Sequence, residues 1–332
     1  MRRRLLFAVV AAVAAATVAA SARAAFPGAN GRIAFSSNRS GNFEIWTVNP
    51  DGSGLTNLTN NRASDRGPAW SPDGTKIAFH SNRSGNNEIY VMNASGSGVT
   101  RLTNDPATDA NPAWSPDGTQ IAFESNRTGN AQIWIVNADG TGLHRLTNDS
   151  RDDVGPAWSP DGTEIAYGTG VACGDCANTA GNLEVHVINA DGTNDRTLES
   201  EPANPTLPAN TSRHPDWAPN GKKILFSSAR SGALEVWVMH PDGSHQRQVT
   251  HDGTADQYAS FSPDGEEIVY SSVQPGIGAQ VRIGNLDGDL LGTLGTGLFP
   301  DWQSVPETDA TSLQGNHDAT AGAVDGNAEN DG

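Results

Sequence analysis

Short stretches in which apolar and polar positions alternate recur along most of this chain. "KIAF" at Lys76, "QIAF" at Gln120, "EIAY" at Glu164, "KILF" at Lys223 and "EIVY" at Glu267 form one series, with an early copy, "RIAF", at Arg32. A second series reads "EIWTVN", "EIYVMN", "QIWIVN", "EVHVIN", "EVWVMH" and "QVRIGN". A weaker third ends in "NLT", "RLT", "RLT", "TLE", "QVT" and "GTL". A period of two with Ile, Val and aromatic residues in the apolar places predicts strands. No sustained helical period follows the N-terminal leader.

A fourth series leads each copy. "PAWSPDGT" occurs letter for letter at Pro68, Pro112 and Pro156. Relaxing the match aligns Trp70, Trp114, Trp158, Trp217, Phe261 and Trp302, separated by 44, 44, 59, 44 and 41 residues. "SPDG" places Pro and Gly where a tight turn wants them, and "NPDG", "NADG" and "HPDG" do similar work between the third and fourth strands. Four strands per repeat of this length describe a β-propeller blade, so the fold predicted is an all-β, six-bladed propeller of four-stranded antiparallel blades. The first copy has only a weak first strand near Phe26, and the last has a first strand and then stops. The C-terminal Trp302 strand is therefore predicted to join the first blade and close the ring, which protects the blade edges.

The domain reading is a signal peptide over 1–24, a propeller over 25–305 and a disordered acidic tail over 306–332. "MRRR", an Ala-rich apolar stretch and "ARA" before Ala25 fit an export signal, and the apolar stretch is shorter than a bilayer span needs. The tail has no aromatic, Lys or Arg and too little apolar surface to offset its ordering entropy. Localisation is accordingly expected to be exported: periplasmic, cell-surface or secreted. The formal charge is −17, and cleavage after Ala24 would remove four arginines and take it to −21. Such a chain repels phosphate backbones and anionic lipid, so nucleic-acid binding and membrane insertion of the cleaved chain are not expected. A monomer with a protein, peptide or glycan partner is.

The stretch "SNRSGNNEIYVMNASGSGVTRLTND", followed by "NPAWSPDGTQIAF", resembles the WD-repeat-like propeller repeat of the TolB type, from Phe26 to about Val305. The resemblance implies a six-bladed propeller and export in bacteria. The best-known member carries an α/β domain before its propeller and works in an envelope-spanning system. Here the leader runs almost directly into the first blade, so a propeller acting without that domain is expected.

Strand order puts the "SPDG" and "NADG" turns on one face, and the second-to-third loops and blade connections on the other. Both long insertions, "GTGVACGDCANTAGN" and "LESEPANPTLPANTSRHP", fall on the second face, which is the expected binding surface. The first holds Cys173 and Cys176, read as a disulfide stapling a small loop; a redox pair lacks its helix start and a zinc site its other two ligands. Asp65, Asp109, Asp153 and Asp256 stand five residues before a repeat Trp or Phe. At the start of innermost strands they would gather round the axis, where Ca²⁺ could hold them together; the competing reading is a turn cap repeated in every blade. Arg66, Arg213 and His214 join them as candidate binding residues. Arg39, Arg83, Arg127 and Arg230 recur in "SNRS", "SNRT" and "SARS", and suit either recognition or a structural pair. The repeat tryptophans, with Trp46, Trp134 and Trp237, are expected to fill the space between blades.

No HExxH, P-loop, dinucleotide or G-x-S-x-G pattern is present. The function expected is a non-catalytic binding or scaffold module using the variable loop face. The alternative is a metal-assisted glycan lyase or hydrolase acting from the axial pocket.

Overall fold

The computed structural model describes residues 28–170, 183–201 and 214–305. They form six four-stranded antiparallel sheets and no helix. Blade 1 is built from Ala29–Ser37, Glu44–Val48 and Thr56–Asn57, and its innermost strand is Leu298–Val305 from the far end of the chain. Ile33 pairs with Trp302 and Ala34 with Asp301, so the closure read from the sequence is the one observed. The innermost strands of blades 2 to 6 begin at Asp65, Asp109, Asp152, Asp216 and Ala255. Each innermost strand touches the next, and Ala255–Phe261 touches Leu298–Val305, which completes the circle.

The apolar alternation has a direct packing consequence. Each blade is buried on both faces, and each of six hydrophobic clusters spans two neighbouring blades. Ala34 and Ile45 of blade 1 meet Trp70, Ile77, Phe79, Tyr90 and Met92 of blade 2. Ala78, Ile89 and Val91 of blade 2 then meet Trp114, Ile121, Phe123 and Val136 of blade 3. The second strand therefore reads Ile-Ala-Phe: Ala faces one neighbour, and Ile and Phe face the other.

The "SPDG" repeat is explained by the same interfaces. The Ser71 hydroxyl donates to Asp73 at 2.6 Å and accepts from the Lys76 amide at 2.9 Å, while Asp73 accepts the Thr75 amide at 3.0 Å. Pro72 of this turn lies against Gly118 of the next blade's turn, Pro116 against Gly162, and Pro160 against Gly221. One turn geometry is thus needed in the five blades whose first two strands are consecutive in the chain, which accounts for its repetition.

Candidate functional site

Five of the six innermost strands carry the same irregularity. Arg66 pairs with His80 and Ala69 with Ala78, so two residues, Gly67 and Pro68, oppose one on the partner strand. This is a β-bulge, and it recurs between Ala110 and Ala113, Val154 and Ala157, and Gln257 and Ser260. Proline follows the Gly67 position in five blades, where a missing amide proton costs no ladder bond. The residue at this position is left-handed in every blade, including blade 5, where it precedes the strand. Gly67 and Gly155 have φ of 58°, Asn111 49°, His214 23°, Tyr258 55° and Phe299 53°.

The preceding blade secures this conformation. The amide of Gly67 donates to Ser36 Oγ at 3.0 Å, that of Asn111 to His80 Nδ1 at 3.4 Å, that of Gly155 to Glu124 Oε2 at 3.0 Å and that of Phe299 to Ser271 Oγ at 3.1 Å. All four acceptors occupy the position after the aromatic residue of the second strand. As an acceptor, His80 must be neutral at Nδ1. Burial, and then the nearby Arg66 cation, hold its pKa down to about 3. Burial pushes Glu124 upward against the pull of Asn111 and the Gly155 amide.

The backbone is six-fold but the side chains are not. Blades 2 to 4 place Gly67, Asn111 and Gly155 in the ring; blades 5, 6 and 1 place His214, Tyr258 and Phe299. The His214 and Tyr258 rings meet edge to face with centroids 4.3 Å apart, and Tyr258 and Phe299 lie at 4.1 Å. The second ring, two residues deeper, divides at the same place. Ala69, Ala113 and Ala157 face Asp216, Ser260 and Asp301. These residues line one axial chamber of about 150 Å³, with an apolar half of Gly, Pro and Ala and a half that is aromatic above and acidic below.

Asp216 and Asp301 each cap a neighbouring blade. Asp216 Oδ2 accepts the Phe261 amide at 2.8 Å, and Asp301 Oδ2 accepts the Trp70 amide at 2.6 Å. Both carboxyls also lean on the Ser260 hydroxyl, which is 3.3 Å from Asp301 Oδ1. Burial, with repulsion from Asp301, pushes Asp216 up to about 7, and burial pushes Asp301 up to about 6. Arg66 directly precedes Gly67 of the chamber wall, its guanidinium stacked 3.6 Å from the Phe43 ring centroid and its Nε donating to Ser64. It lies within electrostatic range of Tyr258 and His80.

The four aspartates expected at the axis do begin or nearly begin innermost strands, and all four are fully buried. Asp65 and Asp109 are held by arginines of their own blades. Arg83 Nη2 donates to Asp65 at 2.9 Å, and Arg127 Nη2 donates to both oxygens of Asp109 at 2.9 and 2.7 Å. Each guanidinium is stacked on two rings, Phe79 and Tyr90 or Phe123 and Trp134. Blade 4 lacks that arginine, and burial pushes Asp153 up to about 7. In blade 6 the Asp256 Oδ1 accepts from Thr254 at 2.9 Å. Among the described residues, the acids close enough to share an ion are Glu235, Asp252 and Asp256, and no set joins Asp65, Asp109 and Asp153. A single Ca²⁺ ring through all four aspartates therefore has no geometric support among the described residues. His214 is in the chamber wall. Arg213, Cys173 and Cys176 lie outside the described residues.

Tyr258, Phe299, Asp216 and Asp301 were not among the expected site residues. Their signal was nevertheless legible as departures from "PAW": "HPDW", "YASF" and "FPDW" stand where three other blades write Gly or Asn, then "PAW".

A closed six-bladed β-propeller with one asymmetric axial chamber is the class that this fold and site define. Three overlapping stretches, residues 8–104, 82–172 and 168–305, match the TolB beta propeller domain. The chain belongs to that family. It is 31% identical over 102 residues to an uncharacterized protein of Agrobacterium fabrum, covering 26% of this chain and 35% of that one. It is 35% identical over 77 residues to the Tol-Pal system protein TolB of Gluconobacter oxydans, covering 22% and 17%. The matches thus span about a third or less of those proteins. Among solved structures, TolB from Acinetobacter baumannii superposes with a TM-score of 0.65 at 22% identity, covering 82% of this chain and 67% of that one.

Proposed function

We propose that this chain is an exported, non-catalytic binding propeller that receives its partner, a protein, peptide or glycan, at the axial chamber and the connection face around it. A TolB-like propeller fold supports a binding or scaffold role in general terms. The observation that carries the reading is the break in symmetry. Six backbones repeat, yet bulky His214, Tyr258 and Phe299 occupy left-handed positions that Gly and Asn fill at lower conformational cost in the other three blades. A ring required only for closure would repeat the cheaper residues. The full chain, immobilised, should retain specific partners from an envelope extract, and a folded Tyr258→Ala/Phe299→Ala variant should lose them. Retention of the same species by both would remove the chamber from the reading.

A hydrolase acting from the chamber is the second reading, favoured by one feature: two carboxyls raised toward neutrality share its floor. Turnover of oligosaccharides or peptides by the full chain, abolished in Asp216→Asn, would replace binding with catalysis.

A further inference from the structure

We propose that the axial chamber is a receptor for an ammonium group carried on an apolar stem. The inference rests on the reading above that the chamber is a binding site, and it names the chemistry recognised there.

The donors that meet the two acids lead to it. Asp216 and Asp301 each spend one oxygen on a neighbouring blade's amide. Both then turn to Ser260, which has a single hydroxyl proton to give. Each carboxyl also takes the amide of the residue that follows it, Trp217 or Trp302, so every donor is neutral. Among the described residues no Lys or Arg lines the chamber, and the two carboxyls on its floor have no cation beside them. An ammonium supplies three N–H donors and the compensating charge.

The rest of the wall suits what such a group is attached to. His214, Tyr258 and Phe299 form an aromatic crescent above the acids, and aromatic faces attract cations as well as apolar stems. Pro68, Ala69, Pro112, Ala113, Pro156 and Ala157 make the opposite wall apolar. The two layers are two strand residues apart, roughly 6–7 Å at the usual rise, which matches a stem of a few carbons. A chamber of about 150 Å³ holds one ring-sized group. A formal charge of −17 draws cations toward the molecule. A free amine and a lysine side chain present the same chemistry, and the experiment separates them.

Binding to the full chain is followed by calorimetry with four probes: 2-phenylethylamine, its neutral isostere 2-phenylethanol, 3-phenylpropanoate, and a capped Gly-Gly-Lys-Gly-Gly peptide. The amine is expected to bind one to one, with the alcohol and the acid weaker by about tenfold or more, the worth of one charge-assisted contact. The peptide binding as well as the amine assigns the site to a lysine-bearing partner; the peptide failing assigns it to a small amine. Asp216→Asn/Asp301→Asn is expected to lower amine affinity by at least about tenfold while leaving the alcohol unchanged. No binding of amine or peptide, or equal binding of amine and alcohol to the wild-type chain, overturns the proposal without recourse to any variant. If the chain still retains its partner from extract when neither amine nor peptide binds, the ammonium inference alone falls.

Discussion

Arg127 reaches across blade 3 to place one nitrogen on both oxygens of Asp109, at 2.9 and 2.7 Å. The acid is fully buried, and the arginine side chain is only 9% exposed. Removing the guanidinium leaves a buried carboxylate uncompensated. Arg127→Met should therefore cost about 3–5 kcal/mol in urea unfolding at pH 8. Adding Asp109→Asn should recover much of that loss. The single variant's deficit should shrink toward pH 5.5, because the stranded acid can protonate, whereas the double variant should show no such relief.

Gly155 is the ring position where the backbone and a neighbour both demand glycine. Its φ is 58°, and an added Cβ would stand 2.7 Å from His214 Cδ2. Gly155→Ala should cost about 1–3 kcal/mol from the left-handed strain and the collision together. In a His214→Ala background the cost should fall by at least about 0.5 kcal/mol, since only the strain remains. Thermal unfolding of the four members of that cycle checks it. Strictly additive losses would show that His214 does not lie across Gly155.

How much of this could be read beforehand follows from what repeats. Blade count, strand type and the closing Trp302 strand were legible because each blade solves one packing problem with the same Ile-Ala-Phe, Trp and "SPDG" residues. The chamber is built from the exceptions, and repetition directs attention away from exceptions. Asp65 and Asp109 repeat, and they proved to be partners of Arg83 and Arg127. Asp216 and Asp301 occur at their position in only two blades, and they line the axial chamber. Which way a strand side chain turns after a bulge is a matter of backbone geometry that an alternating pattern does not contain. The ring of left-handed residues was hidden for the same reason, since Tyr258 and Phe299 are residue types that ordinarily avoid positive φ.

Asp216 and Asp301 should make stability depend on pH in a direction opposite to that of a paired surface acid. Burial raises them to about 7 and about 6, from an ordinary 3.8. The folded chain thus holds protons that the unfolded chain releases near pH 4. Stability from these groups is lost as pH rises from about 4 to about 7. His80, held down to about 3, works the other way below its ordinary 6.5. A difference isolates the acid: Asp216→Asn should gain on the wild type between pH 5 and pH 8 in urea unfolding. A constant gap across that range would contradict a raised Asp216.

Blade 4 moves its cation from a loop to a strand, and that move should be visible as a titration. In blades 1, 2, 3 and 5 the third strand carries Trp46, Tyr90, Trp134 or Trp237 beneath an arginine. In blade 4 the same position is His186. Its Nε2 lies 2.9 Å from Glu184 Oε2 and its Nδ1 3.1 Å from Asp195 Oδ1, while Tyr167 donates to the same Asp195 oxygen at 2.8 Å. Burial and Arg151 pull the imidazole pKa down, but the hydrogen bonds to Asp195 and Glu184 outweigh them and raise it. His186 therefore contributes stability as a cation at low pH, and that contribution is lost as pH rises through its folded pKa. An NMR titration of the ring nitrogens should place His186 above 6.5 in the wild type and lower in Asp195→Asn, where one carboxylate becomes a neutral amide. A wild-type value at or below 6.5 would mean that burial wins over the two carboxylates and that blade 4 carries no charge where its neighbours carry arginine.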